Sequence, residues 1–140
     1  MPEKSNKELT KISDIPESYQ RYLDEIHIIS RKKKGGWVTN KEIAERLQIE
    51  PPSVTGMLEK LKNKGLIKWE PRKAIRLTDK GKEIAMQLSE IHSLLYQFFA
   101  KVLKIKDKRV IDDLSCEIEH HITPDVKDSL EEFLSKYMNG

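Results

Sequence analysis

The sequence predicts a mainly α fold with a small β-wing, in which a winged helix-turn-helix is followed by a helical domain. Three observations predict it. Apolar residues recur at helical spacing in six segments, on either side of one short break. At that break, residues 66–70 and 74–77 alternate like two strands joined by Pro71-Arg72-Lys73. Charge also divides along the chain: residues 60–82 hold nine Lys or Arg against two acids, whereas residues 112–132 are acidic.

Each element has its own signals. Residues 1–15 are polar and read as a flexible N-terminal tail. Pro16 then opens a helix whose one face carries Tyr19, Tyr22, Leu23, Ile26 and Ile29, ending in the Lys run before Gly35-Gly36. Thr39 or Asn40 caps a second helix, Lys41 to Leu47. Pro51-Pro52 open a third, where a missing N–H costs nothing, and Gly65 stops it. After the two strands, Thr78 caps a long helix bearing Ile84, Leu88, Ile91, Leu95, Phe98 and Phe99. Two shorter helices follow at about 107–121 and 124–137. The expected domains are 16–79 for the winged helix-turn-helix and 80–140 for the helical part.

Composition narrows the class. With 37% hydrophobic and 35% charged residues, the 140-residue chain is that of a charge-rich globular protein, long enough for one good core or for a small basic unit joined to a helical partner unit. It has no apolar run of membrane-spanning length and no signal-peptide pattern, which predicts a cytoplasmic protein with no membrane partner. A single cysteine, Cys116, excludes an internal disulfide framework. No nucleophile elbow, phosphate-cradling Gly loop or paired catalytic acids occur, so an enzyme is not expected.

Helix, short turn, helix and hairpin, with basic residues on both the second helix and the wing, point to double-stranded DNA. Ile43, Ala44 and Leu47 can pack against Val54, Met57 and Leu61. The recognition helix then presents Pro52, Ser53, Thr55, Gly56 and Lys60 to the groove, and small residues there allow close approach. Thr39 and Lys41 precede it, and Arg72, Lys73 and Arg76 on the wing suit the flanking phosphates.

The acidic half contains Cys116-Glu117-Ile118-Glu119-His120-His121. On a helix Cys116, Glu119 and His120 share one face, so thiolate, carboxylate and imidazole converge as for a transition metal. A buried thiol beside an exposed Glu-His pair accounts for the same residues. His92, between apolar neighbours on the long helix, and Asp24 and His27, one turn apart on the first, are further donors. Apolar stripes, Val110, Ile111 and Leu114 with Leu130, Phe133 and Leu134, predict a homodimer, whose two-fold axis matches a palindromic operator.

Together YLDEIHII, EIAERLQIEPPSVTGMLEKLKNKGLI, LTDKGKEIA, the His of EIHSLLYQFF and CEIEHHITPDVKDSLEEFL resemble the DtxR/MntR family of metal-dependent repressors over about residues 17–136. The resemblance is to the short form without an SH3-like domain. It implies a homodimer that binds Mn2+ or Fe2+ and represses metal-uptake genes when loaded. It also implies metal ligands at His92, Cys116, Glu119 and His120, with Asp24 at a ligand-carboxylate position. Iron-type members carry Cys where Cys116 stands, and a thiolate is the softer donor, which favours Fe2+ with Mn2+ as the alternative. Three positions depart from the family: Arg21 replaces a Met or Asp ligand, Tyr96 an accessory acid and Asp112 an accessory His. A single metal site is therefore expected, with Arg21 as a built-in cation the competing idea. A winged-helix regulator that ignores metal, or senses oxidation through Cys116, remains the alternative function.

Overall fold

The computed structural model describes residues 12–70 and 74–140; the first eleven residues of the expected tail, and Arg72 and Lys73, lie outside them. The chain forms two compact units, Met1–Met86 and Gln87–Gly140.

In the first unit, α1 (Glu17–Arg31) buries Leu23 and Ile26 completely. The chain before it is not all tail. Ile12–Asp14 form a 3-10 turn, and Ile12 and Ile15 are buried. Gln20 explains why: its buried amide nitrogen donates to the carbonyls of Ile12 and Ile15 at 2.8 and 2.7 Å. Ile12 O, which also accepts from Ile15 N at 3.0 Å, and Ile15 O are thus satisfied where two isoleucines leave water.

Thr39 caps α2 (Asn40–Leu47) through a full capping box: its hydroxyl accepts from Glu42 N at 3.1 Å while Glu42 accepts from Thr39 N at 2.9 Å. Gln48, in the left-handed region at φ 58°, turns the chain into α3 (Pro51–Asn63). Ile43 and Ala44 of α2 are buried, as are Val54, Leu58 and Leu61 of α3. Leu58, rather than Met57, supplies the buried middle of that face.

Gly65, at φ 75°, ends α3 in a Schellman arrangement: Leu66 N donates to Leu61 O and Gly65 N to Lys62 O, both at 2.9 Å. The wing is shorter than the alternation predicts. Strands β1 (Ile67–Lys68) and β2 (Arg76–Leu77) pair antiparallel, and Val38 adds a bridge to Ile75 on the other side. This third, one-residue contact carries no periodicity and was invisible in the sequence.

Helix α4 (Asp79–Gln97) opens on Thr78, whose hydroxyl donates to Gly65 O at 2.6 Å and accepts from Gly81 N at 3.2 Å. A Cβ on Gly81 would fall 2.1 Å from Leu66 O, so only glycine permits this approach. The helix ends before Phe98 in a π-helical turn, Phe98–Val102, earlier than its apolar pattern suggests.

In the second unit, Asp107 caps α5 (Lys108–Ile118) and Thr123 caps α6 (Pro124–Asn139). The expected helix 107–121 is not α-helical to its end. Glu119–His121 tighten into a 3-10 turn, because Pro124 forces Thr123 into extended backbone and the chain must leave the helix before it. The two apolar stripes divide: Ile111 and Leu134 are buried, whereas Val110, Leu114 and Phe133 remain exposed.

Candidate metal centre and nucleic-acid face

The second unit brings His92 of α4 together with Cys116 and Glu119. One donor atom from each lies within 4.8 Å of the others. Glu119 is 1% exposed; His92 and Cys116 are half-buried. His120, also buried, stands beside this group, its Nε2 3.7 Å from Glu119 Oε2. Asp24 is buried on α1 in the other compact unit. Arg21, on the same helix, pairs with Glu17 at 2.7 Å.

The His92 ring is held at both nitrogens. Nδ1 lies 2.8 Å from Glu119 Oε1 and Nε2 lies 2.9 Å from Asp112 Oδ1. The Glu119 hydrogen bond raises its pKa to about 8 against the opposing effect of burial, with Asp112 adding to the rise. Asp112 was read from sequence only as a departure from a family pattern. Its spacing, one helical turn before Cys116, was the signal that it shares the face toward the site.

Glu119 Oε2 is the informative atom. It is buried and has no hydrogen-bond partner. Burying a carboxylate oxygen without a hydrogen bond is costly, His120 Nε2 at 3.7 Å is too distant to donate one, and a cation is the partner that most directly removes the cost. With thiol, imidazole and carboxylate donors grouped around it, the residues present fit a divalent transition metal.

The nucleic-acid candidates lie in the first unit. Pro52, Ser53, Gly56 and Lys60 are exposed on α3, Lys41 is exposed on α2, and Arg76 is exposed on the wing. Thr55 is partly committed within the fold: its hydroxyl accepts from Asn40 Nδ2 at 2.9 Å and donates to Pro51 O at 3.2 Å. Thr39 is exposed, but its hydroxyl is used in the capping box. Gly56 has nothing within 4 Å of where a Cβ would stand. Arg76 is steadied over the Trp37 ring, 5.3 Å from its centroid.

Comparison with known proteins decides the family. Residues 14–75 match the iron dependent repressor N-terminal DNA binding domain, and residues 78–139 match the iron dependent repressor metal binding and dimerisation domain. The chain belongs to the iron-dependent repressor family. Members of this DtxR/MntR family are DNA-binding transcriptional regulators, not enzymes. The chain is 33% identical to the HTH-type transcriptional regulator MntR of Bacillus pumilus, over 76% of this chain and 71% of that one. It is 29% identical to an HTH-type regulator of Methanocaldococcus jannaschii, over 86% of this chain and 95% of the relative. Among solved structures, the manganese regulator SloR superposes with a TM-score of 0.68 at 28% identity, covering 84% of this chain. ScaR with bound Zn2+ gives 0.69 at 27%, over the same 84%. The chain spans about half the length of these structures, 53% in both cases. No described helix is long and apolar enough to cross a membrane.

Proposed function

We propose that this member of the family is a repressor activated by a divalent first-row metal, Fe2+ ahead of Mn2+, that controls metal-homeostasis genes from a palindromic operator. The observation that carries the reading is the buried carboxylate of Glu119, one oxygen of which has no hydrogen bond, grouped with His92 and Cys116. His92, Cys116, Glu119 and His120 would hold the metal. A bound cation would supply its charge in place of the proton that His92, its pKa raised to about 8, otherwise carries, so binding would release that proton. The thiol of Cys116 favours iron over manganese, because softer donors lift affinity along the divalent series. Asp112 keeps the far nitrogen of His92 occupied, leaving Nδ1 directed at the cluster.

On the DNA side, the exposed residues of α3 meet the major groove while Lys41, Lys60 and Arg76 meet phosphates. Val110, Leu114 and Phe133 offer an apolar face for a second copy of the chain. The test is affinity for a selected palindromic duplex, measured anaerobically with and without Fe2+ or Mn2+, for the wild type and His120→Ala. Metal-enhanced binding lost in the variant supports the reading. Tight binding indifferent to metal and to His120 refutes metal control and returns attention to Arg21.

A further inference from the structure

The first unit carries a second concentration of charge that neither the metal centre nor the recognition helix uses. A cleft of about 290 Å³ opens beside the end of α1, where His27, Arg31, Gly35, Gly36, Arg76 and Lys82 line it. Three of these are permanent cations, and no carboxylate lines the cleft. Some basic side chains elsewhere are neutralised by acids: Arg21 pairs with Glu17, Lys33 with Glu42, Arg46 with Glu25 and Lys127 with Glu90. Among the described residues neither Arg31 nor Lys82 has an acidic partner within 4.0 Å, and Arg76 leans on the Trp37 ring instead.

From this geometry we infer that the cleft is a binding site for a phosphate-class oxyanion, separate from the metal centre. Two guanidinium groups and an ammonium suit tetrahedral oxyanions, since each guanidinium can donate two parallel N–H bonds. The cleft holds a phosphate group and part of whatever it is attached to. The glycines keep one wall free of side chains. The half-buried His27 ring reports the same field: burial first, then the charges of Arg31 and Lys82, push its pKa below the ordinary value. An anion seated among these groups reverses that push and gives the ring a reason to take a proton.

One chemistry has two sources here. A free phosphate or phosphate-monoester metabolite would make the cleft an effector site beside the wing. A DNA backbone phosphate would make it an extension of the nucleic-acid face, because Arg76 belongs to both. The inference stands apart from metal control and does not depend on it.

The experiment follows the His27 ring by proton–carbon NMR in the full chain, with the signal assigned through His27→Gln. Inorganic phosphate is titrated without added metal at ionic strength held constant with chloride; duplex DNA is titrated separately, with and without diamagnetic Zn2+, so that this arm does not depend on metal activation. A saturable phosphate shift with a raised His27 midpoint, weakened about tenfold in Arg31→Ala and in Lys82→Ala, supports a free-anion site. Saturation by DNA alone, lost in the same variants, supports the site with the backbone as its source. No response beyond chloride in either arm overturns the inference, as does an equal response in the variants. Both substituted side chains are exposed, so the fold survives their loss.

Discussion

Asp112 holds His92 from the side opposite the candidate metal ligands Cys116 and Glu119. Its Oδ1 lies 2.9 Å from Nε2, while Nδ1 lies 2.8 Å from Glu119 Oε1. A carboxylate on the far nitrogen of an imidazole fixes both tautomer and ring orientation, and losing one from a metal site commonly costs about 10–100-fold in affinity. Asp112→Ala is therefore expected to weaken metal binding by about that factor, with a small change in melting temperature because the side chain is 63% exposed. Asp112→Asn, which keeps an acceptor, is expected to recover part of the loss. Competition against a chelator measures it; unchanged affinity in Asp112→Ala removes the orienting role.

Glu119 serves both stability and binding. Its hydrogen bond raises the pKa of the His92 imidazole to about 8, a contribution present below the ordinary histidine value and lost as pH rises through 8. The neutral Glu119→Gln is therefore expected to lower the stability of the metal-free protein at neutral pH. With metal about 100-fold above its dissociation constant, wild type gains about 2.7 kcal/mol in unfolding free energy and the variant gains almost none. Denaturant unfolding with and without metal checks both halves. A wild type indifferent to metal, or a variant that gains as much, contradicts the assignment of Glu119 as a ligand.

The parts of this architecture that sequence disclosed were those with local causes. Thr39 with Glu42 three residues on, Pro51-Pro52 and Gly65 each determine backbone within one turn, so α2 and α3 were legible before any packing was known. What stayed hidden was contact across the chain. Gln20 reads as a surface residue, yet its amide satisfies two carbonyls beneath Ile12 and Ile15 and orders the end of the expected tail. At the candidate metal centre the Cys-Glu-His spacing read as one face of an α-helix, whereas Glu119–His121 form a 3-10 turn set by Pro124. Asp112 shared the visible helical face; what it faces, His92, lies 20 residues away on another helix.

The capping box predicts a specific response to acid. Lys33 first, and then the Thr39 N–H, hold the Glu42 carboxyl below its ordinary 4.5. A depressed folded pKa means a contribution present above the unfolded value and lost as pH falls through the folded one. Glu42→Gln should thus lower stability at neutral pH and flatten the loss of stability below about pH 4.5. Thr39→Ala removes the cap at about 1 kcal/mol. Urea unfolding across this pH range tests the pair; parallel acid limbs for wild type and Glu42→Gln would contradict it.

Arg21 separates metal control from a built-in cation. Its guanidinium pairs with Glu17 within α1, an exposed contact of the kind that contributes little. Arg21→Met is accordingly expected to change metal-dependent DNA affinity by no more than about threefold. If wild type binds its operator without metal and Arg21→Met acquires a metal requirement, the arginine was doing the metal's work.

Gly56 offers the sharpest test of the DNA face, because fold and function should move in opposite directions. It sits mid-helix in α3, is exposed, and an added Cβ would meet nothing within 4 Å. Replacing a helical glycine by alanine typically gains about 1 kcal/mol, so Gly56→Ala should unfold later than wild type. If small residues at this position serve close approach to a base edge, the same methyl group should weaken operator binding. Lys60→Ala provides the contrast. It should leave stability nearly unchanged, weaken all duplexes alike and reduce the salt slope by about one unit. A stabilised Gly56→Ala that binds operator as tightly as wild type would show that α3 does not enter the groove at this point.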